Sequence, residues 1–228
     1  MIVMNPRAVK DQLYEQVARI GKALASPKRL ELLEMLAQGE KTVESLTAAL
    51  SIDVKLTSAH LKSLRDANLV QARRQGKYVV YSLSGDDVAQ LGVALRTVAE
   101  EHLLDLRQAL QRLVSEPERL TQTTRAQLLE QARCGQVVVI DVRPLAEFAA
   151  AHLPYARSMP LDELEQRLGE LPLGIDIVAY CRGPFCLMSD AALKLLRARG
   201  FRAHKTRDGV SEWRASGFVT ESTLCDHS

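Results

Sequence analysis

The residue types and spacing best suited to covalent chemistry lie in Cys181-Arg182-Gly183-Pro184-Phe185-Cys186. Ahead of this stretch Ile175-Asp176-Ile177-Val178-Ala179-Tyr180 has the pattern of a buried strand, and beyond it Leu187, Ala191, Leu195 and Leu196 recur at helical spacing. A cysteine that opens a strand-to-helix loop sits where backbone N–H groups and a helix N-terminus converge, and both favour the thiolate. Cys181 is therefore read as a reactive sulfur centre. Cys186 is a second thiol in the same loop, with a buried thiol on the first helical turn as the competing reading. Cys134, at a helix end, reads as a small core residue, and Cys225 as an exposed residue of the tail.

The loop needs a scaffold, and the surrounding pattern supplies one. A helix from Thr124 with Leu128 and Leu129 stops at Gly135; Val137-Val138-Val139-Ile140-Asp141-Val142 is a short continuous apolar strand; Pro144 opens a helix through Phe148. Ala156 to Met159 forms another strand, Leu161, Leu164 and Leu168 a further helix, and Phe201-Arg202-Ala203-His204 one more strand before a helix over Val210 to Arg214. Strands alternating with helices predict a parallel α/β sheet, whose ligands bind at the carboxyl ends of strands. Asp141 and Cys181 both lie at such ends.

This half, about residues 121 to 220, resembles the rhodanese domain of sulfurtransferases. The resemblance rests on Asp141-Val142-Arg143 with Glu147-Phe148, His152-Leu153 before Ala156, Pro160, the loop from Cys181, and Asp208-Gly209-Val210-Ser211-Glu212-Trp213. Ala151 stands where a glycine is usual, and Asp208 replaces the first of a common glycine pair. The resemblance implies that Cys181 takes sulfane sulfur from a donor and holds it as a persulfide, in a nest of inward-pointing loop N–H groups. Arg182 would draw in an anionic donor or stay solvated. Gly183 and Pro184 would shape the turn, and Asp141, Arg143 and Glu147 would tie the loop in place. Cys186 could attack the persulfide to leave a disulfide, or trap it as a polysulfide bridge. A related phosphate- or arsenate-binding loop carries arginine where this chain has Leu187, and thiosulfate-using enzymes often carry Arg or Thr where it has Cys186. Phosphatase chemistry and rapid turnover of thiosulfate are therefore not expected.

At 228 residues the chain can hold two modest cores, and its 46% hydrophobic and 25% charged residues are ordinary for a globular protein. No apolar run matches a bilayer span and the N-terminus lacks a signal-peptide core, so a cytoplasmic location without membrane association is expected. The four cysteines read as thiols rather than a disulfide framework.

In the first half, Val9, Leu13, Val17, Ile20 and Leu24 mark one amphipathic helix, and Ser26-Pro27 starts a second that ends at Gly39. A third starts at Thr42, and a fourth follows Ser51-Ile52-Asp53 to about Ala67. Two short helices joined by a tight turn form a helix-turn-helix. The segments 69–74 and 77–83, around Gln75-Gly76, predict a hairpin. Between Lys55 and Lys77 stand six cations and one acid, a phosphate-binding footprint.

The segments Ala23 to Leu30 and His60 to Val70, with the hairpin as a wing, resemble the ArsR family of winged-helix repressors over about residues 8 to 113. The resemblance implies a homodimer on double-stranded DNA with an inverted-repeat operator. Val88, Leu91, Leu95, Val98, Leu106, Leu110 and Leu113 mark one long apolar helix of about 26 residues that needs a partner surface. Dimer symmetry would space the recognition helices by roughly 34 Å. Lys55, Thr57, Ser58 and His60 are expected near the groove, and Lys62, Arg73, Arg74 and Lys77 at phosphates or the minor-groove edge. One metal site of the family has Cys-Val-Cys where this chain has Thr42-Val43-Glu44, and the other needs more histidines than His102 supplies. No metal and no cofactor are expected.

The expected organisation is a mostly α winged-helix domain over 1–113, a linker over 114–121, an α/β rhodanese-like domain over 122–220 and a tail over 221–228. The expected function is a DNA-binding transcriptional regulator, a repressor, whose sulfur-accepting loop is Cys181, Arg182 and Cys186. Two alternatives stay open: a sulfurtransferase that uses the winged helix to dimerise, and a regulator responding to an arsenical or selenium compound through the two thiols.

Overall fold

The computed structural model describes residues 5–113 and 121–223. Asn5 accepts a hydrogen bond from the Arg7 amide at 3.0 Å and Pro6 takes the first helical position, so α1 (Pro6–Leu24) begins where its sequence dictates. α2 (Pro27–Leu36) starts on Pro27, although Ser26 makes no side-chain cap. Thr42 caps α3 (Val43–Leu50) by accepting from the Ser45 amide at 3.2 Å. Asp53 does the same for α4 (Val54–Asp66), accepting from Leu56 at 2.8 Å. The turn between α3 and α4 passes through Ser51 in the left-handed region, φ 51°.

The wing is an antiparallel hairpin of β2 (Val70–Gln75) and β3 (Tyr78–Leu83), with Gly76 at φ 58° in its turn. On the other edge of β3 lies β1 (Lys41–Thr42), pairing Lys41 with Tyr81 and Thr42 with Val80. Two residues leave no period to read, so the sequence did not announce it. Leu32, Leu46, Leu61 and Leu64 are fully buried in the core beneath, each worth roughly 1.5–3 kcal/mol over exposure.

The expected single long helix is two segments, α5 (Asp86–His102) and α6 (Leu104–Leu113), divided at Leu103. The break is slight, because the Leu103 amide still bonds to the Ala99 carbonyl at 2.8 Å and Arg107 to Leu103 at 3.2 Å. The chain divides into two compact units, Met1–Gly92 and Val93–Ser228. The division falls inside α5 rather than at the expected linker, of which residues 114–120 lie outside the described residues.

In the second unit, Thr124 and Gln127 form a capping box at the start of α7 (Arg125–Arg133). There follow β4 (Val137–Asp141), α8 (Leu145–Ala150), β5 (Arg157–Ser158), β6 (Asp176–Tyr180), α9 (Met188–Ala198), β7 (Ala203–Lys205) and α10 (Val210–Ala215). The helix expected from Leu161, Leu164 and Leu168 is instead a run of turns ending in a 3-10 turn, Leu168–Glu170. Leu164 is fully buried all the same, so the leucine spacing reports burial and not helix.

The sheet is parallel with order β5-β4-β6-β7. Side chains alternate between its faces: Val138, Ile140, Ile177 and Ala179 enter one core, while Val139, Val178 and Tyr180 enter the other, where Trp213 of α10 packs. Asp141 pairs with Tyr180 in the register, which sets the ends of β4 and β6 side by side. Cys181 is the next residue.

Candidate functional site

Cys181 leaves β6 into the loop before α9 and is 2% exposed. Its sulfur lies 3.6 Å from the Ser189 hydroxyl, on the first turn of α9, and 3.6 Å from the Cys186 carbonyl oxygen. The Cys186 thiol is the largest influence holding the Cys181 thiol below the ordinary thiol range. Burial opposes it, and the Ser189 hydroxyl with the amides of Ser189 and Gly183 reinforces it. Cys186 is pushed well up by the same interaction and by burial, so the thiolate is favoured at Cys181 and the thiol at Cys186. Both are free thiols. Of the two, Cys181 is the one whose surroundings favour the thiolate, the form in which a cysteine reacts.

The loop is clamped from three sides. Arg182 donates from Nε and Nη2 to the two oxygens of Glu147 on α8, at 2.9 and 2.8 Å. The bidentate pair leaves the Arg182 side chain 21% exposed. Gly183 has φ 144°, and a Cβ there would come within 3.1 Å of both Glu212 oxygens. Gly209 is tighter still, since a Cβ would meet the Arg182 carbonyl at 2.5 Å and that of Cys181 at 2.7 Å. Neither position has room for a side chain.

Asp141 and Arg143, both fully buried, form the frame behind the loop. Arg143 donates to Asp141 at 2.5 Å and to the Ala151 carbonyl at 2.7 Å, and its charged end lies 5.5 Å from the Tyr180 ring. Tyr180 accepts from the Leu153 amide at 3.1 Å. Burial first, then the Asp141 charge, raises the Tyr180 hydroxyl well above its ordinary value, so it stays neutral. Asp141 and Arg143 thus pair behind the loop, and Glu147 pairs with Arg182 within it.

Cys134 differs from expectation. It is exposed at the end of α7, where Glu130 accepts from its thiol at 3.3 Å and raises its pKa. Cys225 lies outside the described residues.

In the first unit Lys55, Ser58 and Lys62 on α4 are exposed and His60 is half-buried; Arg73, Arg74 and Lys77 on the wing are exposed. Thr57 is the correction: it is fully buried, donates to the Asp53 carbonyl at 2.9 Å and meets the Thr47 hydroxyl at 3.1 Å. It fastens α4 to α3 and is shut off from any groove. Arg73 is paired with Glu40 at 2.5 Å, which offsets part of its charge.

The sequence reading missed Ser189, Gly209 and Glu212 as parts of the site. Gly209 and Glu212 lay in the quoted segment 208–213, but nothing along the chain placed that segment against residue 182. Among the described residues there is no cluster of three or more His, Cys, Asp or Glu able to hold a metal, and no helix long and apolar enough to cross a membrane.

Residues 26–72 match the bacterial regulatory protein arsR family, and residues 124–216 match the rhodanese-like domain. The HTH-type transcriptional regulator Rv0324 of Mycobacterium tuberculosis is 43% identical over 212 residues, 93% of each chain. The biofilm growth-associated repressor of Agrobacterium fabrum is 39% identical over 41% of this chain and 80% of its own. The homodimeric winged helix-turn-helix DNA-binding domain Mb0332 of Mycobacterium bovis, solved by NMR, is 44% identical with a TM-score of 0.41, covering 45% of this chain and 94% of that one. The fold, the family matches and the Mycobacterium tuberculosis relative define a transcriptional regulator of the winged helix-turn-helix class. Within that class the chain belongs to the arsR family, in a form that carries a rhodanese-like domain.

Proposed function

We propose that this regulator is a cytoplasmic homodimeric repressor whose rhodanese-like domain accepts sulfane sulfur at Cys181. The observation that carries the reading is the buried Cys181 sulfur, 3.6 Å from the Ser189 hydroxyl and from the Cys186 carbonyl oxygen, in a loop held by the Arg182–Glu147 pair; these surroundings favour its thiolate. The Cys181 thiolate attacks a sulfane sulfur of an inorganic polysulfide; a new S–S bond forms, an S–S bond of the donor breaks, and a shorter polysulfide leaves with the electron pair. Cys186 then attacks the Cys181 sulfur, forming the Cys181–Cys186 disulfide. Its proton leaves with the displaced sulfur as hydrosulfide, so thiol plus persulfide anion becomes disulfide plus HS⁻.

The burial of Cys181 supports a small inorganic donor over a bulky one. Leu13, Tyr14 and Val17 on α1 are 64, 65 and 67% exposed, which supports their use as a dimer seam along with the apolar face of α5. Lys55, Ser58, His60, Lys62, Arg73, Arg74 and Lys77 supply the proposed contacts to an inverted-repeat operator. Repression as the mode of action is supported by the name of the Agrobacterium relative.

The test is a titration of the DNA upstream of the protein's own coding sequence, at fixed salt, with and without polysulfide. Cys181→Ser is expected to bind this DNA as the wild type does and to ignore polysulfide. A normal response from Cys181→Ser would sink the reading. Sustained transfer of sulfur to cyanide, with no change in DNA binding, would make the protein a sulfurtransferase instead.

A further inference from the structure

α5 runs into the second unit from Val93 onward, and two of its side chains, one turn apart, end on the segment that closes the cysteine loop. Arg96 pairs with Glu212, and Glu100 pairs with Arg207. The first pair is the more buried, at 19% and 9% side-chain exposure. The second oxygen of Glu212 accepts from the Gly209 amide at 2.9 Å, and the carboxylate fills the space under Gly183. The Arg96 guanidinium also lies 5.9 Å from the centre of the Phe185 ring. Phe185 precedes Cys186 directly.

Arg96 therefore touches the loop twice, at its wall through Phe185 and at its floor through Glu212. We propose that Arg96 is a positioning residue of the sulfur site, holding the cysteine loop from α5, so that the loop and residues 93–102 of α5 change arrangement together. A bond between Cys181 and Cys186 draws residue 186 inward and takes Phe185 with it. The cation facing that ring has to follow or be left behind. A charge pair this far from water does not slide freely, because a misplaced partner leaves the other charge uncompensated. Glu100 and Arg207 fasten the same helix face one turn further on, so the response is that of a segment rather than one side chain.

The inference rests on the sulfur-accepting reading only for what modifies the loop in the cell; the coupling itself belongs to the loop and the helix. It is tested on the full-length protein by amide hydrogen exchange and by the rate of Cys181 alkylation with iodoacetamide. In Arg96→Ala, exchange over residues 181–186 and 209–212 is expected to rise roughly tenfold, as for a local opening that stops short of global unfolding. The Cys181 alkylation rate shifts with it, and Arg96→Lys restores most of both. The reciprocal measurement needs no variant: alkylating Cys181 in the wild type changes exchange over residues 93–102. Unchanged loop exchange and alkylation in a folded Arg96→Ala, or no change in residues 93–102 on alkylation, overturns the proposal. If polysulfide adds no sulfur mass to Cys181 but alkylation still alters residues 93–102, the sulfur reading fails and the coupling stands.

Discussion

Glu147 presents both carboxylate oxygens to the guanidinium of Arg182, at 2.8 and 2.9 Å, from a position only 3% exposed. The arginine next to the nucleophile is thereby committed to holding the loop, and an anionic donor would have to compete with a carboxylate already in place. Glu147→Gln is expected to destabilise the protein by about 3 kcal/mol, because it leaves a partly buried guanidinium without its counter-charge. Urea unfolding measures this. The same variant should take sulfur from thiosulfate faster than the wild type, since the fork of Arg182 becomes available to it.

The Cys181 thiolate is held down chiefly by the Cys186 thiol, with Ser189 next among the favourable contacts. Iodoacetamide alkylation of Cys181 should therefore reach half its maximal rate below about pH 8.5, the ordinary thiol midpoint. The sign follows from the donors: removing one stabilises the thiolate less and moves the profile to higher pH. Cys186→Ala and Ser189→Ala should each do so, and Cys186→Ser should restore part of the shift through its hydroxyl. Cys134, raised by Glu130, should titrate above the ordinary range in the same experiment.

Gly209→Ala places a methyl against the backbone carbonyls of Arg182 and Cys181, neither of which is a flexible side-chain end. A loss of about 1–3 kcal/mol is expected from the forced shift, together with a raised Cys181 pKa as the loop amides turn away. Calorimetry and the alkylation profile read the two effects separately.

On DNA, Lys62→Ala and Lys77→Ala should each lower the slope of log affinity against log salt by about 1.8, the share of two phosphate contacts, one from each protomer of the dimer. Thr57→Val should leave that slope unchanged while lowering stability by about 1 kcal/mol, since it removes the hydrogen bond with Thr47 that ties α4 to α3 and the one to the Asp53 carbonyl at the start of α4. A salt slope altered by Thr57→Val would return that residue to the interface.

The parts of the fold announced by local chemistry were legible in the chain: Pro27 at a helix start, Gly76 in the wing turn, and the apolar run before Asp141. The errors came where burial imitates a period or a partner sets the outcome. Leu161, Leu164 and Leu168 are spaced like a helix but belong to turns, and β1 exists because β3 offers an edge. The place of Cys181 was legible because an apolar strand pattern runs up to it and a helical spacing follows it. Ser189, Gly209 and Glu212 were not, because only the folded chain brings α9 and α10 to the loop. Thr57 was misjudged for a related reason: a recognition helix has an inner face, and the sequence alone did not say which turn presents it.

The burial of the Cys181 sulfur has a consequence for timing. A group 2% exposed is reached through brief openings of the loop, so its rate of modification is the intrinsic reactivity scaled by the open fraction. On the proposed sulfur-accepting function, a short burst of reactive sulfur is over before most molecules have reacted, whereas a sustained rise reaches them all. Such a protein would act as a low-pass filter, answering to the duration of exposure as well as to its height.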